Sequence, residues 1–526
     1  MRDFALPGRS PVIAEHGMAA TSHPLGTMTA IAVLREGGNA VDAAIAACAT
    51  LCVVEPAMTG IGGDCFALVA EPDGTVHGLN GSGRAAQAAD ADWLRGLGHS
   101  SMPQTGALSV TVPGALRAWE ALSVRFGTLG FDRLFADAIR YAEEGFAVHA
   151  RVARDWPNYV AELAADEGGR LHYLREGRAP RMGERMRQPA LAGTLRRLAK
   201  DGAGAFYEGE IAAEIAATVK GKGGRLSEAD LAACRADWVA PVSIAYAGHD
   251  VLEMPPNGQG ITAQIMLNIL DLVEARRHAP DSPERHHLLI EAARLAYSVR
   301  DHLVADPAAM TAPVERLLSR EIAAALGARI DLKRRNADVS IPPLPGSDTV
   351  YLTVVDRDRR AVSFINSLYG GFGAKVVTPR SGVTLQNRGG CFSLVPGHPN
   401  EYGPGKRPMH TIIPAMATRG GRAAVSFGVM GGAYQAMGHA HVFSNLADDG
   451  MDPQMAVDQP RVFWGADGTV EVESGMSETV RRGLEARGHA VRAGGPFGGG
   501  QVIVIGDDGF LTAGSDPRKD GLALGW

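Results

Sequence analysis

The 526-residue chain is predicted to fold as a layered α/β body. Three observations point there. Strand-like segments lie towards both ends, and long stretches of helical periodicity fill the space between. Residues 348–367 (DTVYLTVVDRDRRAVSFINS) alternate as a hairpin, with Val350–Val355 and Ala361–Asn366 flanking a charged turn.

Taken in order, Thr27–Arg35 has helical composition and stops at Gly37-Gly38, after which Asn39 is placed to cap a buried helix over Ala40–Val53. The glycine loop TGIGGD (59–64) follows, then the strand FALVA (66–70) and a strand and turn over Val76–Gly83. Gly106–Pro113 reads as a buried strand ending at a Pro-Gly turn, and Ala115–Cys234 is mostly helical with breaks at Gly and Pro. Pro241–Leu252 returns to strand character, Pro255–Gly260 (PPNGQG) is a loop, and Ile261–Arg277 and Glu284–Asp301 read as long helices. Residues 331–347 are polar, then proline-rich, and read as an exposed linker. Further strands are expected at Ala423–Phe427 and Gln501–Ile505.

Composition narrows the function. Apolar residues at 45% and charged residues at 21% are ordinary for a globular enzyme. The net charge of −6, without a basic tract, disfavours a nucleic-acid partner. No stretch is long and apolar enough to span a bilayer and no signal peptide is visible, so no membrane partner and a cytoplasmic location are expected. The five cysteines have no framework spacing, and Cys48 and Cys52, four apart in an Ala-rich helix, read as core thiols. His439 and His441 lack further ligands nearby, so no metal and no cofactor are expected.

The chemistry is concentrated where the linker meets the hairpin. Exposed segments are where chains are cut. A cut between Asp348 and Thr349 leaves Thr349 with a free α-amine, a group that ordinarily titrates at about 7.7–8.0 and is able to take the proton of its own hydroxyl. By itself a Thr before a strand is only a β-former. A second constellation supports it: in FGVMGGAYQAMGH (427–439), Gly431 and Gly432 end a strand and precede a helix starting near Ala433, so consecutive N–H groups are available to an oxyanion.

Together these segments resemble the γ-glutamyltransferase (γ-glutamyltranspeptidase) family of N-terminal-nucleophile hydrolases. The resemblance covers nearly the whole chain, including residues 17–47, EPAMTGIGGDCF (55–66), LSVTVPGALRAWEAL (108–122), GAFYEGEIAAEI (204–215) and MPPNGQGITAQIMLNIL (254–270). It continues through DTVYLTVVD (348–356), SLYGGFG (367–373), KRPMHTIIPAM (406–416), the MGG segment and GSDPRKDGLALG (514–525). It implies a four-layer αββα sandwich of stacked antiparallel sheets, self-cleaved into residues 1–348 and 349–526. These would stay associated as a heterodimer, and two such heterodimers could pair. It further implies an acyl-enzyme on Thr349, formed from a γ-glutamyl amide such as a glutathione-like donor and released by water or an amine acceptor. By position, Ser367 is the hydroxyl that bonds the nucleophile and Gly431 and Gly432 are the oxyanion pair. Arg84, Tyr351, Tyr369, Arg388, His410 and Thr411 are the residues expected at the substrate.

Departures from the family pattern fall on the acyl pocket. Where the family has an Arg in an R-E-x-A-P segment for the substrate α-carboxylate, this chain has GSGRAAQ, with Ser82 at the aligned position and Arg84 nearby, able to take over the anion. Cys391 stands where the family Asp binds the α-amino group, and no carboxylate lies between Gly382 and Asn400. His410 and Thr411 replace paired serines, and a protonated His410 would add an ion-pair partner. The short stretch from His398 to Lys406 leaves no room for a lid loop. The substrate is therefore expected to be a small-molecule amide with an anionic group, and hydrolysis is expected over transpeptidation. An amidase of an acid without an α-amino group, oxamate amidohydrolase-like or glutaryl (cephalosporin) acylase-like, is the alternative. An unprocessed, binding-only relative is the alternative of another class. A nucleotide enzyme built on TGIGGD lacks the G-x-G-x-x-G spacing.

Overall fold

The computed structural model describes residues 8–339, 348–465 and 467–526. Two seven-stranded antiparallel sheets face each other. One runs, in spatial order, Leu522–Gly525, Met18–Thr21, Asp348–Val355, Ala361–Tyr369, Asp64–Ala70, Val76–Gly81 and Asp237–Val239. The other runs Val12–Ala14, Leu511–Ser515, Gly499–Ile505, Arg422–Met430, Ala415–Arg419, His249–Glu253 and Val242–Tyr246.

The alternation of side chains builds four layers. In the Asp348 strand, Tyr351 and Val355 join Phe66, Ile365, Met416, Met430 and Ile503 in the core between the sheets. Val350, Leu352 and Val354 point the other way, into a core completed by the helices of the first half of the chain. The outer face of the second sheet, with Ala415, Ala417, Phe427 and Val429, packs against helices Gly260–Leu272, Pro283–Leu303 and Gln435–Ala447. The αββα sandwich is thus closed on both faces.

The helix under the first sheet, Ala40–Val54, is buried along its whole length, which its run of alanines permits by keeping the packing distance short. Its start is the expected Asn39 cap, extended to a capping box: Asn39 Oδ1 accepts from Val41 and Asp42 N–H, and Asp42 accepts from the Asn39 N–H.

Several expected elements differ. Gly106–Pro113 is no strand: a 3₁₀ turn covers Ala107–Ser109, and the extended residues beyond it pair one by one with loop and side-chain groups. The Val112 N–H donates to the Arg84 carbonyl, the Gln386 amide donates to the Val112 carbonyl and the Tyr207 hydroxyl to that of Pro113. Pro113 itself has no N–H for a ladder. Pro241–Leu252 is a hairpin, Val242–Tyr246 with His249–Glu253, turned at Ala247 (φ 46°) and Gly248 (φ 77°). The helix from Gly260 ends at Leu272, because Glu274 takes a left-handed conformation. Of the expected linker, residues 340–347 lie outside the described residues. Residues 331–339 are tied to helix Pro283–Leu303: Arg294 donates to the carbonyls of Asn336 and Val339, and Glu291 accepts from the Asn336 N–H.

The sheets touch closely where Gly428 faces Tyr351; a Cβ at Gly428 would lie 2.4 Å from the ring. Gly428→Ala is expected to lower the unfolding free energy by about 1–3 kcal/mol. The measurement is a drop in the urea midpoint at unchanged slope; an unshifted midpoint would mean that the sheets do not pack as described.

Candidate active site

The site grows out of one strand register. The Asp348–Val355 and Ala361–Tyr369 strands pair regularly from Val355↔Ala361 to Val350↔Asn366, and a shift follows between Val350 and Asp348. Thr349 falls in that irregularity. Alternation puts it on the same face as Tyr351 and Thr353, and Thr353 Oγ1 meets Ser426 Oγ of the opposite sheet at 2.6 Å. Thr349 therefore faces the space between the sheets, at the end of its strand. Its Oγ1 lies 3.1 Å from Ser367 Oγ, and the Ser367 Oγ also accepts from the Tyr369 N–H at 2.8 Å.

From this pair a chain of hydrogen bonds crosses the site. Arg388 reaches Ser367 Oγ at 3.4 Å and donates to Thr411 Oγ1 at 2.7 Å. The Gln259 amide donates to the carbonyls of Thr411 (2.8 Å) and Gly432 (2.9 Å). Arg300, buried and paired with Asp301, donates to Gln259 Oε1 at 2.8 Å and so fixes the amide orientation. Gly431 (φ 121°) and Gly432 (φ 58°) end the Arg422–Met430 strand at a 3₁₀ turn that opens helix Gln435–Ala447. Gly431 needs its missing side chain, since a Cβ would lie 2.8 Å from the Gly498 Cα.

Asp64, at the end of the TGIGGD loop, organises the second wall. Its Oδ1 accepts from the N–H groups of Gly83 and Gly114 and from the Gln386 amide, and its Oδ2 meets His410 Nε2 at 3.0 Å. Burial, reinforced by the nearby Arg388 charge, pushes the His410 pKa down to about 3 against the pull of Asp64. His410 is therefore neutral at neutral pH, with Nε2–H donated to Asp64 and Nδ1 accepting from Ile412 N–H. This corrects the expectation of a protonated His410 as an ion-pair partner.

Thr349, Ser367, Tyr369, Arg388 and Thr411 come together. Arg388 lies with its guanidinium 4.4 Å from the Tyr369 ring centre, and burial holds the Tyr369 phenol far above its ordinary pKa. Two expected residues lie elsewhere. Tyr351 sits in the core between the sheets, with its hydroxyl 2.8 Å from Ser363 Oγ, so it serves packing rather than the substrate. Arg84 is about half exposed, bonded to the Gly405 carbonyl and near Asp306 (3.5 Å) and Asp237 (3.8 Å). It lines a side cleft of about 260 Å³ with Ser82, Cys234 and Arg407, and none of Thr349, Ser367 or Arg388 lines that cleft. Asp64, Gln259 and Arg300 belong to the hydrogen-bond network of the site and are not singled out by the sequence. The signal for the first two is the lone carboxylate of TGIGGD and one of the two amides of PPNGQG, both glycine-containing loops.

Among the described residues one trio has metal-ligand spacing, His287, Glu291 and His489, with ligand atoms within 4.8 Å of one another. The Glu291 carboxylate is already taken by Arg294 (2.7 Å) and the Asn336 N–H (2.9 Å), which makes the trio an anchor for residues 331–339. No described helix is long and apolar enough to cross a membrane.

The model of the gamma-glutamyltranspeptidase family matches residues 26–526. The chain belongs to this family. It is 37% identical over 525 residues to the glutathione hydrolase-like YwrD proenzyme of Bacillus subtilis, covering 98% of this chain and 99% of that protein. It is 35% identical over 533 residues to the oxamate amidohydrolase proenzyme of Klebsiella pneumoniae, with 98% and 99% covered. The solved cephalosporin acylase from Bacillus halodurans superposes with a TM-score of 0.92 at 40% identity, over 100% of this chain and 99% of that one. This member of the gamma-glutamyltranspeptidase family is an enzyme of amide-bond hydrolysis and acyl transfer, on the stacked-sheet fold of its structural relatives.

The depressed His410 pKa has a measurable consequence. Between pH about 6.5 and 3 the unfolded chain binds a proton at His410 that the native protein does not, so stability falls as pH falls through this window. His23, His439 and His489, each pushed down to about 3 chiefly by burial, act in the same direction. Glu55, raised to about 7 by burial, acts in the opposite one above its unfolded pKa. His410→Gln should flatten the fall in unfolding free energy between pH 6 and 4 by up to about 1.4 kcal/mol per pH unit. An unchanged slope would show that His410 titrates normally in the folded protein.

Proposed function

We propose that the protein is an autoprocessed amidohydrolase whose nucleophile is Thr349, freed by cleavage of the Asp348–Thr349 bond. The observation that carries the reading is the Thr349 hydroxyl, buried at a strand end and 3.1 Å from Ser367 Oγ at the mouth between the sheets. After cleavage the α-amine of Thr349 takes the hydroxyl proton, and Oγ1 attacks the donor carbonyl. Asn366, opposite Val350 in the ladder, has a buried Oδ1 without a hydrogen-bond partner among the described residues and gives that amine an acceptor. The tetrahedral oxyanion is received by the N–H groups of Gly431 and Gly432, whose turn is held by Gln259 and Arg300. The amine leaves with the proton, and water then attacks the Thr349 ester to release the acid.

The fragments 1–348 and 349–526 would remain joined, since each sheet contains strands from both sides of the cut: Met18–Thr21 pairs with both Leu522–Gly525 and Asp348–Val355. Proenzyme stands in the names of the B. subtilis and K. pneumoniae relatives, which supports processing.

The donor is an amide of a small acid with an anionic group. γ-Glutamyl amides and amides of acids without an α-amino group both meet that description; the names of the relatives span glutathione hydrolase-like, oxamate amidohydrolase and cephalosporin acylase. Water is favoured as acceptor because the stretch from His398 to Lys406 is tied down rather than free to close: His398 Nε2 meets the Asp301 carbonyl at 2.9 Å, and Arg95 pairs with Glu401 at 3.0 Å.

Purified protein should run as two pieces with a new N-terminus at Thr349. Thr349→Ala should stay full length and lose turnover; retention of either cleavage or turnover would refute the assignment. Glycylglycine should raise the rate of donor consumption little, and a large gain would establish a transpeptidase instead.

A further inference from the structure

Six arginines are buried among the described residues: Arg285, Arg294, Arg300, Arg388, Arg407 and Arg461. Five of them pair with a carboxylate, Arg285 with Asp448 (3.1 Å), Arg294 with Glu291 (2.7 Å), Arg300 with Asp301, Arg407 with Asp237 and Arg461 with Asp516 (each 2.6 Å). Arg388 is the exception. Its neighbours are two hydroxyls, the Cys391 sulfur at 3.8 Å and the Tyr369 ring, and its Nε has no hydrogen-bond partner among the described residues. Asp64, which reaches this neighbourhood through His410, has its oxygens taken by Gly83, Gly114, Gln386 and His410.

A buried cation without a counter-ion is costly, and the cost persists in a native protein when something else supplies the anion. Here the guanidinium is one hydroxyl removed from Thr349, through Ser367. Its plane is fixed by Tyr369 and Thr411, and the unpartnered Nε beside the long NH2 contact leaves one edge of the fork for a carboxylate. An ammonium group brought to the same place meets a like charge in a water-poor site with no described carboxylate paired to Arg388, which disfavours it strongly.

We propose that Arg388 is the specificity-determining residue of the acyl pocket: it receives the carboxylate of a dicarboxylic-acid monoamide and excludes donors that carry an α-ammonium. The guanidinium and the Thr349 hydroxyl both lie against Ser367 Oγ, at 3.4 and 3.1 Å, so the acid that joins them is a short one. This rests on the reading of Thr349 as nucleophile, and it chooses between the two donor classes left open there. Arg388, not Arg84, is the anion anchor.

The test uses anilides in two isosteric pairs, succinyl against β-aspartyl and glutaryl against γ-glutamyl, with butyryl anilide as an uncharged reference. Within each pair the wild-type enzyme should prefer the donor without the amino group by about 100-fold or more in kcat/KM. Arg388→Gln should lower kcat/KM for the preferred anionic donor about 100-fold relative to butyryl anilide, and Arg388→Glu should turn the preference towards the amino-bearing member. Because each result is a ratio between donors on one variant, a general loss of folded enzyme cancels. Calorimetry with succinate and glutarate against aspartate and glutamate makes the same comparison without turnover. Equal or reversed preference in the wild type, or an unchanged ratio in Arg388→Gln, would overturn the proposal. Turnover that survives in Thr349→Ala would instead overturn the nucleophile and leave the ratios standing.

Discussion

The pairing of Asp348–Val355 with Ala361–Tyr369 is the constraint on which the site depends. Period-two alternation sends Tyr351 and Thr353 into the contact with the opposite sheet, where Gly428 leaves room for the Tyr351 ring and Ser426 meets Thr353. The same alternation carries Thr349 to the mouth of that contact. A slip of one residue would turn all three towards the helices. The break in register between Val350 and Asp348 then frees Thr349 from the regular ladder while Ser367 holds its hydroxyl. Packing and the geometry of the site are therefore set by one interaction: the sheets cannot separate without moving Thr349.

Around that point the fold spends buried polar groups freely. Asp64, His410, Gln259, Arg300 and Arg388 are all buried, and each is oriented by backbone or by another of the set. Buried groups of this kind hold geometry when their bonds are complete and are expensive when they are not. Four of the five are complete in this sense. Arg388 is left with an unpartnered Nε and no carboxylate, and it sits beside Thr349 and Ser367, where a ligand can finish what the protein has not.

Much of this is legible in the sequence, for identifiable reasons. Thr349 and the Gly431–Gly432 pair stand at boundaries, linker to strand and strand to helix, and boundaries leave marks in linear patterns. The Asn39 cap and the hairpin are likewise local. Arg84 is misjudged from sequence because what holds it is distant along the chain. The loop around it is fixed by Asp64 on the Gly83 N–H and by Arg407 on the Ser82 carbonyl, and its guanidinium is drawn towards Asp237, Asp306 and Gly405. His410 reads as chargeable because its burial cannot be seen in the motif PMHTII. Gly106–Pro113 has the apolar composition of a strand, but its carbonyls are taken by Gln386 and Tyr207 side chains, which composition does not reveal. The exceptional position of Arg388 emerges only when every other buried arginine has been matched with its carboxylate.

The proposed chemistry takes place at one atom, and the most direct measurement is the mass of the acylated fragment. Enzyme in steady state with an anionic amide donor, quenched in acid and digested, should carry the acyl group as an ester on the N-terminal threonine of the 349–526 fragment, at Oγ1. An adduct on Ser367 or Cys391, or turnover with the 349–526 fragment unmodified at every quench time under conditions that trap esters, would contradict it.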